Sequence, residues 1–187
     1  MSRILAILLL VLLAPLMLAI SLVVLFSLGS PVIFRQRRSG KGGHRFTLVK
    51  FRSMNDRRDM AGQLLPDEER VTVSGRFLRR TRLDELPGLI NVARGEMAFV
   101  GPRPLLPETI EGLGRDGRKR GRVRPGLTGW AQVNGNTLLT LKQKVELDLW
   151  YVDHHNVWLD AKILLRTVLV MVAGERVSAA AEGPQPR

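Results

Sequence analysis

The sequence predicts a helix-rich α/β fold in which a compact cytosolic globule is held at a membrane by an N-terminal hydrophobic segment. An almost wholly apolar run, Ile4 to Leu28, comes first. An alternating stretch with three closely spaced glycines, Pro31 to Met54, follows and indicates a strand or β-hairpin. Later segments repeat apolar residues every three to four positions, as amphipathic helices do. The 187 residues suffice for one domain beside the membrane segment.

The apolar run is long enough to cross a bilayer. As a straight helix, Ile4 to Leu28 would measure about 37 Å, against a hydrocarbon core of about 30 Å. Basic residues follow it directly: Arg35, Arg37, Arg38 and Lys41. Their charge places the C-terminal side of the run in the cytoplasm. Pro15 breaks the helix, which is compatible with a kinked spanning helix or with a re-entrant helix–break–helix. Proline alone favours the spanning form, because transmembrane helices tolerate it.

The hairpin is expected to turn at its glycines, which are Gly40, Gly42 and Gly43. Its second strand should extend over Phe46–Phe51, where Lys50 and Arg52 alternate with apolar residues and share one face. A solvated strand surface would explain these two cations without any further role. The polar segment 55–70 is predicted to be a loop with short helical pieces.

Helices are predicted on both sides of a short buried run. Val71–Arg82 should be helical, with Phe77 and Leu78 facing inward and its arginines facing outward. Another helix contains Pro87 in its first turn, a position that suits proline. Met97–Val100 is the buried run between this helix and the rest of the chain.

The C-terminal half is predicted to hold further helices. Pro107–Gly121 should form a helix and a basic loop that rests on lipid head groups. Leu138–Trp150 has helical spacing, and a last helix starts at Asp160, which as its N-cap needs no other role. A strand-like segment before them carries three polar or aromatic residues that suit a nucleotide pocket or, equally, core packing and turn chemistry: Trp130, Gln132 and Asn134.

The stretch Arg79 to Pro104, RRTRLDELPGLINVARGEMAFVGPRP, contains residues suited to a phosphate ester. Adjacent carboxylates, Asp84 and Glu85, lie between arginines, and two prolines fix the backbone around Arg103. A phosphoryl-transfer site needs cations for the phosphate oxygens, a carboxylate to hold Mg²⁺ and a nucleophile in line with phosphorus. Arg103 suits bidentate phosphate binding, which lysine cannot supply.

The acidic pair also has a purely structural explanation. Pro87 places Asp84 and Glu85 at a helix N-terminus, where an N-cap and a first-turn acid are common and stabilising. At that position the helix dipole is expected to lower both carboxyl pKa values and to keep an attacking Asp84 ionised.

The charge and composition restrict the class of partner. A net charge of +12 suits nucleic acid, or anionic lipid and phosphorylated substrates. Aromatic residues make up only 5% and no nucleic-acid-binding motif is present, so we expect membrane lipid and no nucleic acid. The absence of cysteine excludes disulfides, thiolate zinc sites and a cysteine nucleophile.

Several ordered motifs together resemble those of one enzyme family. They are PVIFRQRRSGKGGHRFTLVKFRSM, RxxRLDELPxLxNVxxGEMxxVGPRP, VRPGLTGWAQVNG, ELDLWYV and LDAKILLRTV. This set resembles the bacterial sugar transferases, the monotopic polyprenyl-phosphate phosphoglycosyl transferases, and especially their small bacillosamine-phosphate-type members. The resemblance extends from about Pro31 to Val168.

The resemblance implies a reaction and roles for particular residues. A sugar 1-phosphate would pass from a UDP-sugar to polyprenyl (undecaprenyl) phosphate, which starts glycan assembly and releases UMP. Asp84 would be the nucleophile that forms an aspartyl-phosphosugar, and Glu85 would hold Mg²⁺. The remaining site residues would bind phosphate or substrate: Lys50, Arg79, Arg103 and Asp160.

The resemblance also implies a location and a topology. These enzymes are monotopic, so the segment 1–30 would be re-entrant at the cytoplasmic face of the bacterial inner membrane. The catalytic domain would cover residues 31–178, and a disordered tail residues 179–187. Two positions depart from the family: Ala14 stands before Pro15 where serine is usual, and Asn136 stands where the family often has an arginine with a sugar or nucleotide role.

Two other functions fit the same residues. A membrane-anchored, Mg²⁺-dependent phosphatase or diphosphatase would use the same aspartate but would need no lipid acceptor. A basic, membrane-tethered binding module would have no chemistry, and its binding would weaken with salt. The sequence does not indicate the sugar, the glycan pathway or the oligomeric state.

Overall fold

The computed structural model describes residues 2–173 and 177, so the predicted disordered tail 179–187 lies outside the described residues. The helices are α1 (Ser2–Leu12), α2 (Ala14–Leu28), α3 (Asp67–Arg70), α4 (Val73–Arg80), α5 (Leu89–Arg94), α6 (Pro107–Gly112), α7 (Gly114–Arg120), α8 (Trp130–Val133), α9 (Leu141–His154) and α10 (Val157–Ala173). The strands are β1 (Ile33–Ser39), β2 (Arg45–Phe51), β3 (Ala98–Val100) and β4 (Gly126–Thr128). Short 3₁₀ helices lie at Lys41–Gly43, Leu83–Gly88 and Asn136–Leu138. The prediction of a helix-rich α/β fold is confirmed.

The hydrophobic segment is broken close to Pro15, as its sequence predicts. The two helices α1 and α2 meet at Leu13 and are bent by 62°. Pro15 lies in the first turn of α2, where its missing N–H costs no intrahelical hydrogen bond. Among the described residues no single helix is long and apolar enough to cross a membrane, whereas the bent pair is, by length and composition.

The first arm of the bent pair packs on the globule. Ala6 of α1 is fully buried in a cluster with Val92 of α5. A Cβ placed on Gly95, where α5 ends, would lie 2.1 Å from the Arg3 guanidinium. Arg3 therefore lies directly against this backbone, at the end of α5 where the helix dipole favours a cation.

The second arm packs on a different part of the globule. Val24 of α2 is buried in a cluster with Phe51 of β2 and Leu78 of α4. Ser74 donates a hydrogen bond of 2.9 Å to Ser27, which joins α4 to the end of α2. Both arms thus contact the same folded body.

The predicted hairpin is present. β1 and β2 are antiparallel and pair Phe34 with Lys50, and their turn includes Gly42 and Gly43, both in left-handed backbone conformations. β2 is fixed to α5 by Asn91, whose side chain accepts from the Val49 N–H at 3.1 Å. This contact sets Lys50, the next residue, above the segment that follows α4.

The helix α4 is capped by Thr72, which accepts from the Gly75 N–H. Leu78 is buried, as predicted, but the prediction that Phe77 faces inward is wrong, because Phe77 is 60% exposed. Neighbouring residues on a helix diverge by about 100°, so Leu78 takes the core position and turns Phe77 toward the surface.

The segment after α5 forms a tight corner between β3 and α6. β3 pairs in parallel with β4. Gly101 lies so close to that strand that an added Cβ would be 2.3 Å from the Arg124 carbonyl oxygen. Only glycine allows this approach, and the corner Gly101–Pro104 follows from it.

The C-terminal half is built on a cluster of buried residues that includes Trp130, Leu147, Tyr151 and Ile163. α9 begins with a capping box between Thr140 and Gln143. The predicted helices are present, although the last one begins before Asp160.

The basic loop predicted within 107–121 is wrong, because these residues form α6 and α7. Arg120 is not on a lipid-facing surface either. It is 5% exposed, and it forms an ion pair of 2.8 Å with Asp148 of α9. Of the basic residues predicted for this loop, Arg115 and Arg118 are exposed on α7, whereas Arg120 is a buried structural cation.

Candidate active site

Five of the predicted site residues surround one cavity of about 650 Å³. They are Lys50, Arg79, Asp84, Glu85 and Arg103. They come from β2, from α4, from the 3₁₀ helix after it and from the corner after β3. Residues far apart in sequence are thus brought together, with cations on several sides of the two carboxylates.

The 3₁₀ helix Leu83–Gly88 presents the acidic pair to this cavity. It starts at Arg82, which adopts a left-handed conformation with φ of 54° and turns the chain sharply away from α4. Asp84 and Glu85 follow in the first turn of that helix, as expected from Pro87. The side chain of Asp84 points inward and is 5% exposed.

The expectation of a lowered Asp84 pKa is wrong. Burial, and then the neighbouring Glu85 charge, raise the Asp84 pKa from 3.8 to about 6. Lys50, Arg103 and Arg79 act in the opposite direction but do not compensate. Desolvation of a buried carboxylate therefore outweighs both the nearby cations and the dipole of a helix that is only six residues long.

Lys50 lies beside Asp84 and belongs to the same electrostatic group. Burial lowers the Lys50 pKa, and Asp84 partly restores it. The ammonium lies 5.2 Å from the centre of the Phe34 ring, the cross-strand partner of Lys50. The Phe34 ring and the strand orient the Lys50 ammonium toward the cavity. Lys50 therefore does not lie on a solvated strand face.

Glu85 is held by arginines on both sides. Its carboxylate accepts a hydrogen bond of 2.9 Å from Arg103 and lies 3.7 Å from Arg82. Its side chain is 22% exposed, so it is accessible from the cavity. The described residues hold no group of three or more His, Cys, Asp or Glu side chains that could bind a metal. A Mg²⁺ site here would combine Glu85 with phosphate oxygens of a substrate, as is usual for this ion.

The corner that carries Arg103 is fixed by two other guanidinium groups. Arg120 donates to the Arg103 carbonyl oxygen, and Arg38 donates to the Pro104 carbonyl oxygen at 3.1 Å. Asp148 in turn pairs with Arg120. Sequence reasoning missed these supporting residues, since an arginine that binds a carbonyl oxygen leaves no spacing signal.

Sequence reasoning also missed several residues that line the cavity. They are Glu68, Val71, Arg76, Arg80, Arg82, Thr137 and Val170. The helical spacing of Arg76 and Arg80 in α4 was a signal that could have indicated a shared face. Asn136, which replaces the family's arginine, has a φ of 41° and lies at the edge of this cavity.

Asp160 does not line the cavity with Asp84 in the described part of the chain. It lies in the first turn of α10 and accepts a hydrogen bond of 2.7 Å from Tyr151. Asn156, not Asp160, caps this helix, because its side chain accepts from the Leu159 N–H at 2.9 Å. The Tyr151 hydroxyl also lies 3.5 Å from the Val100 carbonyl oxygen, so Asp160 helps to fix α10 to α9 and β3.

The prediction of a strand-like segment around Trp130 is wrong, because the strand covers only Gly126–Thr128 and Trp130–Val133 is the helix α8. The polar and aromatic residues around α8 are structural. Trp130 is buried and stacks on Trp150 with ring centres 5.1 Å apart. Gln132 donates to the Leu127 carbonyl oxygen, and Asn134 accepts from Arg166 at 2.9 Å. These contacts are those of core packing and turn chemistry, and not those of a nucleotide pocket.

Comparison with known proteins identifies relatives over most of the chain. The model of a family described as bacterial sugar transferase matches residues 1–174. The sugar transferase EpsL of Bacillus subtilis (strain 168) is 48% identical over 155 residues, which cover 83% of this chain and 77% of that protein.

Two further relatives carry more specific names. UDP-glucose:undecaprenyl-phosphate glucose-1-phosphate transferases of Xanthomonas campestris pv. campestris and Escherichia coli (strain K12) are 43% and 44% identical. The matches cover 95% and 88% of this chain but only 39% and 38% of those proteins. The chain therefore corresponds to less than half the length of these two transferases.

Proposed function

Because this chain belongs to the bacterial sugar transferases, we propose that it transfers a sugar 1-phosphate from a UDP-sugar to polyprenyl (undecaprenyl) phosphate. The products would be UMP and a polyprenyl-diphosphate-sugar, and the reaction would begin glycoconjugate assembly. One observation carries the chemistry: a buried aspartate lies in a single cavity with Glu85, Lys50, Arg79 and Arg103. The names of the two glucose-1-phosphate transferases support the class of donor and acceptor.

Asp84 acts first as the nucleophile. A carboxylate oxygen of Asp84 attacks the β-phosphorus of the UDP-sugar, and a new P–O bond forms. The bond from the β-phosphorus to the bridging oxygen breaks, and its electron pair leaves with UMP. The sugar 1-phosphate is then bound to Asp84 as an acyl phosphodiester.

The lipid phosphate completes the transfer. An oxygen of polyprenyl phosphate attacks the same phosphorus, and the bond from phosphorus to Asp84 breaks. The Asp84 carboxylate is thereby regenerated, and a diphosphate links the sugar to the lipid. Two displacements at one phosphorus explain why the site needs a nucleophile of its own as well as room for two phosphate-containing substrates.

The cations around Asp84 stabilise the transferring phosphoryl group. Lys50, Arg79 and Arg103 face the carboxylate from different elements, so they neutralise phosphate oxygens on several sides of the phosphorus. Arg103 alternates between Glu85 and substrate in this scheme, since its guanidinium already binds Glu85 in the free enzyme.

Glu85 is the residue that would hold Mg²⁺. It is partly exposed to the cavity and adjoins the nucleophile, and oxygen ligands of this kind suit the ion. When bound, Mg²⁺ would neutralise charge on the diphosphate of the donor.

The membrane seating follows from the bent helix pair. Both arms pack on one folded body, as Ala6 in α1 and Val24 in α2 indicate, so the pair would enter and leave the membrane by the same face. The basic residues after α2 favour the cytoplasmic face. A polyprenyl phosphate has its charged head at the membrane surface and its tail in the lipid, so this seating brings the acceptor to the cavity.

The first test is UMP release from a panel of UDP-sugars with Mg²⁺ and polyprenyl phosphate, for wild type and Asp84→Asn. We expect release that depends on the sugar and on the lipid, and a loss of at least about 10³-fold in Asp84→Asn, because the nucleophile is removed. Release of inorganic phosphate without lipid would instead support the phosphatase. Lipid and nucleotide binding without turnover, unchanged in Asp84→Asn, would support the binding module.

A further inference from the structure

The exposed face of α4 carries a pattern that the proposed mechanism does not use. Val73, Arg76, Phe77 and Arg80 are all exposed, and Val73 and Phe77 are exposed by 86% and 60%. At about 100° per residue these four side chains share one sector of the helix. Leu78, on the opposite side, anchors α4 in the core.

The two kinds of side chain are segregated within that sector. Going around the helix, Arg79 is followed by Arg76 and Arg80 and then by Val73 and Phe77. The arginines line the cavity that contains Asp84, whereas Val73 and Phe77 do not. The helix therefore has a cationic edge toward the nucleophile and an apolar edge away from it.

The apolar edge continues toward the hydrophobic helix pair. Ser74, next to Val73, donates to Ser27 near the end of α2. α2 exposes apolar side chains of its own, including Leu22 and Phe26. Exposed apolar side chains thus lie both on α2 and on the α4 edge beside the arginines, and the two helices are joined at Ser27 and Ser74.

Arg76 and Arg80 make no ion pair that would stabilise the fold within the described part of the chain. Among the described residues neither Arg76 nor Arg80 has a carboxylate within ion-pair distance, whereas Arg82 and Arg103 both bind Glu85. Two exposed cations side by side repel each other unless an anion lies between them. Their position at the cavity therefore points to a phosphate ligand.

We propose that this face of α4 is the acceptor site, which binds the polyprenyl phosphate of the proposed reaction. Arg76 and Arg80 hold the phosphate head, and Val73 and Phe77 contact the first isoprene units as the tail passes toward α2. A single amphiphilic ligand matches this order of charge and apolar surface. The assignment rests on the proposed function and adds the residues that take the second substrate.

The two half-reactions can be measured separately, so an effect on the acceptor site can be distinguished from an effect on the donor site. Without acceptor, the enzyme should release one UMP per nucleophile in a burst, because the aspartyl-phosphosugar has nowhere to transfer its phosphosugar. For Arg76→Gln with Arg80→Gln, we expect this burst to remain and the KM for polyprenyl phosphate to rise at least about tenfold, with the KM for UDP-sugar within about twofold. Arg76→Lys with Arg80→Lys should recover most of the acceptor affinity.

The apolar edge has its own variant. Val73→Ser with Phe77→Ser should raise the KM for polyprenyl phosphate several-fold but leave the KM for UDP-sugar almost unchanged, since only the acceptor has an apolar tail. The matched control is Arg115→Gln with Arg122→Gln. These substitutions remove the same charge at two exposed arginines outside the cavity. This control should leave both KM values unchanged.

The possible contrary results are distinct. A normal burst with an unchanged acceptor KM would overturn the acceptor site alone. Loss of the burst in the Arg76/Arg80 variant would assign these arginines to the donor instead. Weaker binding to anionic lipid vesicles, with an unchanged acceptor KM in detergent, would show that α4 contacts bulk lipid only. No burst in wild type would overturn the proposed function and the acceptor site with it.

Discussion

Asp84 is deeply buried, and charged side chains surround it closely. Its carboxyl pKa of about 6 means that the group is mostly ionised at neutral pH, yet it is poorly hydrated. A desolvated anion that is oriented toward incoming phosphorus needs little reorganisation to attack. The same residue would be a weaker nucleophile in its protonated form, so burial gives the site a dependence on pH.

The UMP burst should therefore rise with pH and level off above the Asp84 pKa. We expect a half-maximal burst rate near pH 6, because only the ionised carboxylate attacks. The measurement is the rate of UMP release without acceptor between pH 5 and 8.

Omitting the acceptor is essential to this measurement. A phosphate monoester has its own second pKa near 6, which would produce a similar profile in steady-state assays. A burst rate that does not change between pH 5 and 8 would contradict the assignment of Asp84, with its raised pKa, as the attacking group.

At the scale of residues, the sequence motifs predicted which side chains would lie together better than they predicted the protonation of those side chains. Lys50, Asp84, Glu85 and Arg103 were predicted from motifs, and they meet in one cavity. The direction of the Asp84 pKa was predicted wrongly. Burial depends on which other segments cover a side chain, and the sequence near Asp84 carries no information about them.

At the scale of elements, the shape of the Gly101–Pro104 corner depends on residues from other elements. Two of its four residues are prolines, which have no N–H to donate, so its carbonyl oxygens must be satisfied by other groups. Arg120 and Arg38 supply the donors, and Asp148 compensates the buried charge of Arg120. The corner presents Arg103 to Glu85 only while this arrangement holds.

Asp148→Asn should destabilise the protein and weaken catalysis together. The substitution leaves Arg120 buried and uncompensated, and we expect a loss of about 3 kcal/mol in the free energy of unfolding. Because Arg120 also holds the Arg103 carbonyl oxygen, the rate of the UMP burst should fall in the fraction that stays folded. Denaturant unfolding in detergent and the burst assay measure the two effects.

Asp153→Asn is the matched control for this variant. Asp153 lies on the same helix and pairs with Lys119 at 2.6 Å, but both side chains are exposed. Its removal should change stability far less than Asp148→Asn does. Equal effects of the two variants would contradict the structural role given to the buried pair.

Several elements lie where the sequence pattern predicted them, but α7 and α8 do not, and the orientation of single side chains often differs from the prediction. The hairpin turn, α4, α9 and α10 occur where glycines and helical spacing predicted them. Phe77 and Arg120 were assigned to the wrong environments, one exposed and one buried. Hydrophobicity ranks residues for burial, but a short helix has space for few core positions, and tertiary contacts decide which residues occupy them.

At the scale of the whole molecule, the bent helix pair and the globule form one packed unit. α1 contacts α5 through Ala6 and Arg3, and α2 contacts α4 and β2 through Val24. The outer turn of the pair, by contrast, exposes apolar side chains such as Val11 and Leu12, at 71% and 73%. This distribution suits a hairpin whose tip is in lipid and whose two ends are on one side.

Single cysteines provide a direct test of this topology, because the chain has none of its own. In membrane vesicles, Ser2→Cys and Arg35→Cys should both react with an impermeant thiol reagent from the cytoplasmic face, and Leu12→Cys should be protected. Labelling of Ser2→Cys from the opposite face only would establish a spanning helix. The UMP assay on each variant would confirm that the labelled proteins are folded.

The contact between α1 and α5 also constrains the order of events during biosynthesis. The hydrophobic pair emerges from the ribosome before the hairpin, α4 and α5 have been made, so the surface that receives Ala6 and Arg3 does not yet exist. Under the proposed membrane seating, the pair therefore enters the bilayer in a form that differs from its final one. Insertion would then be complete only when the globule folds, and the two processes would share a last step.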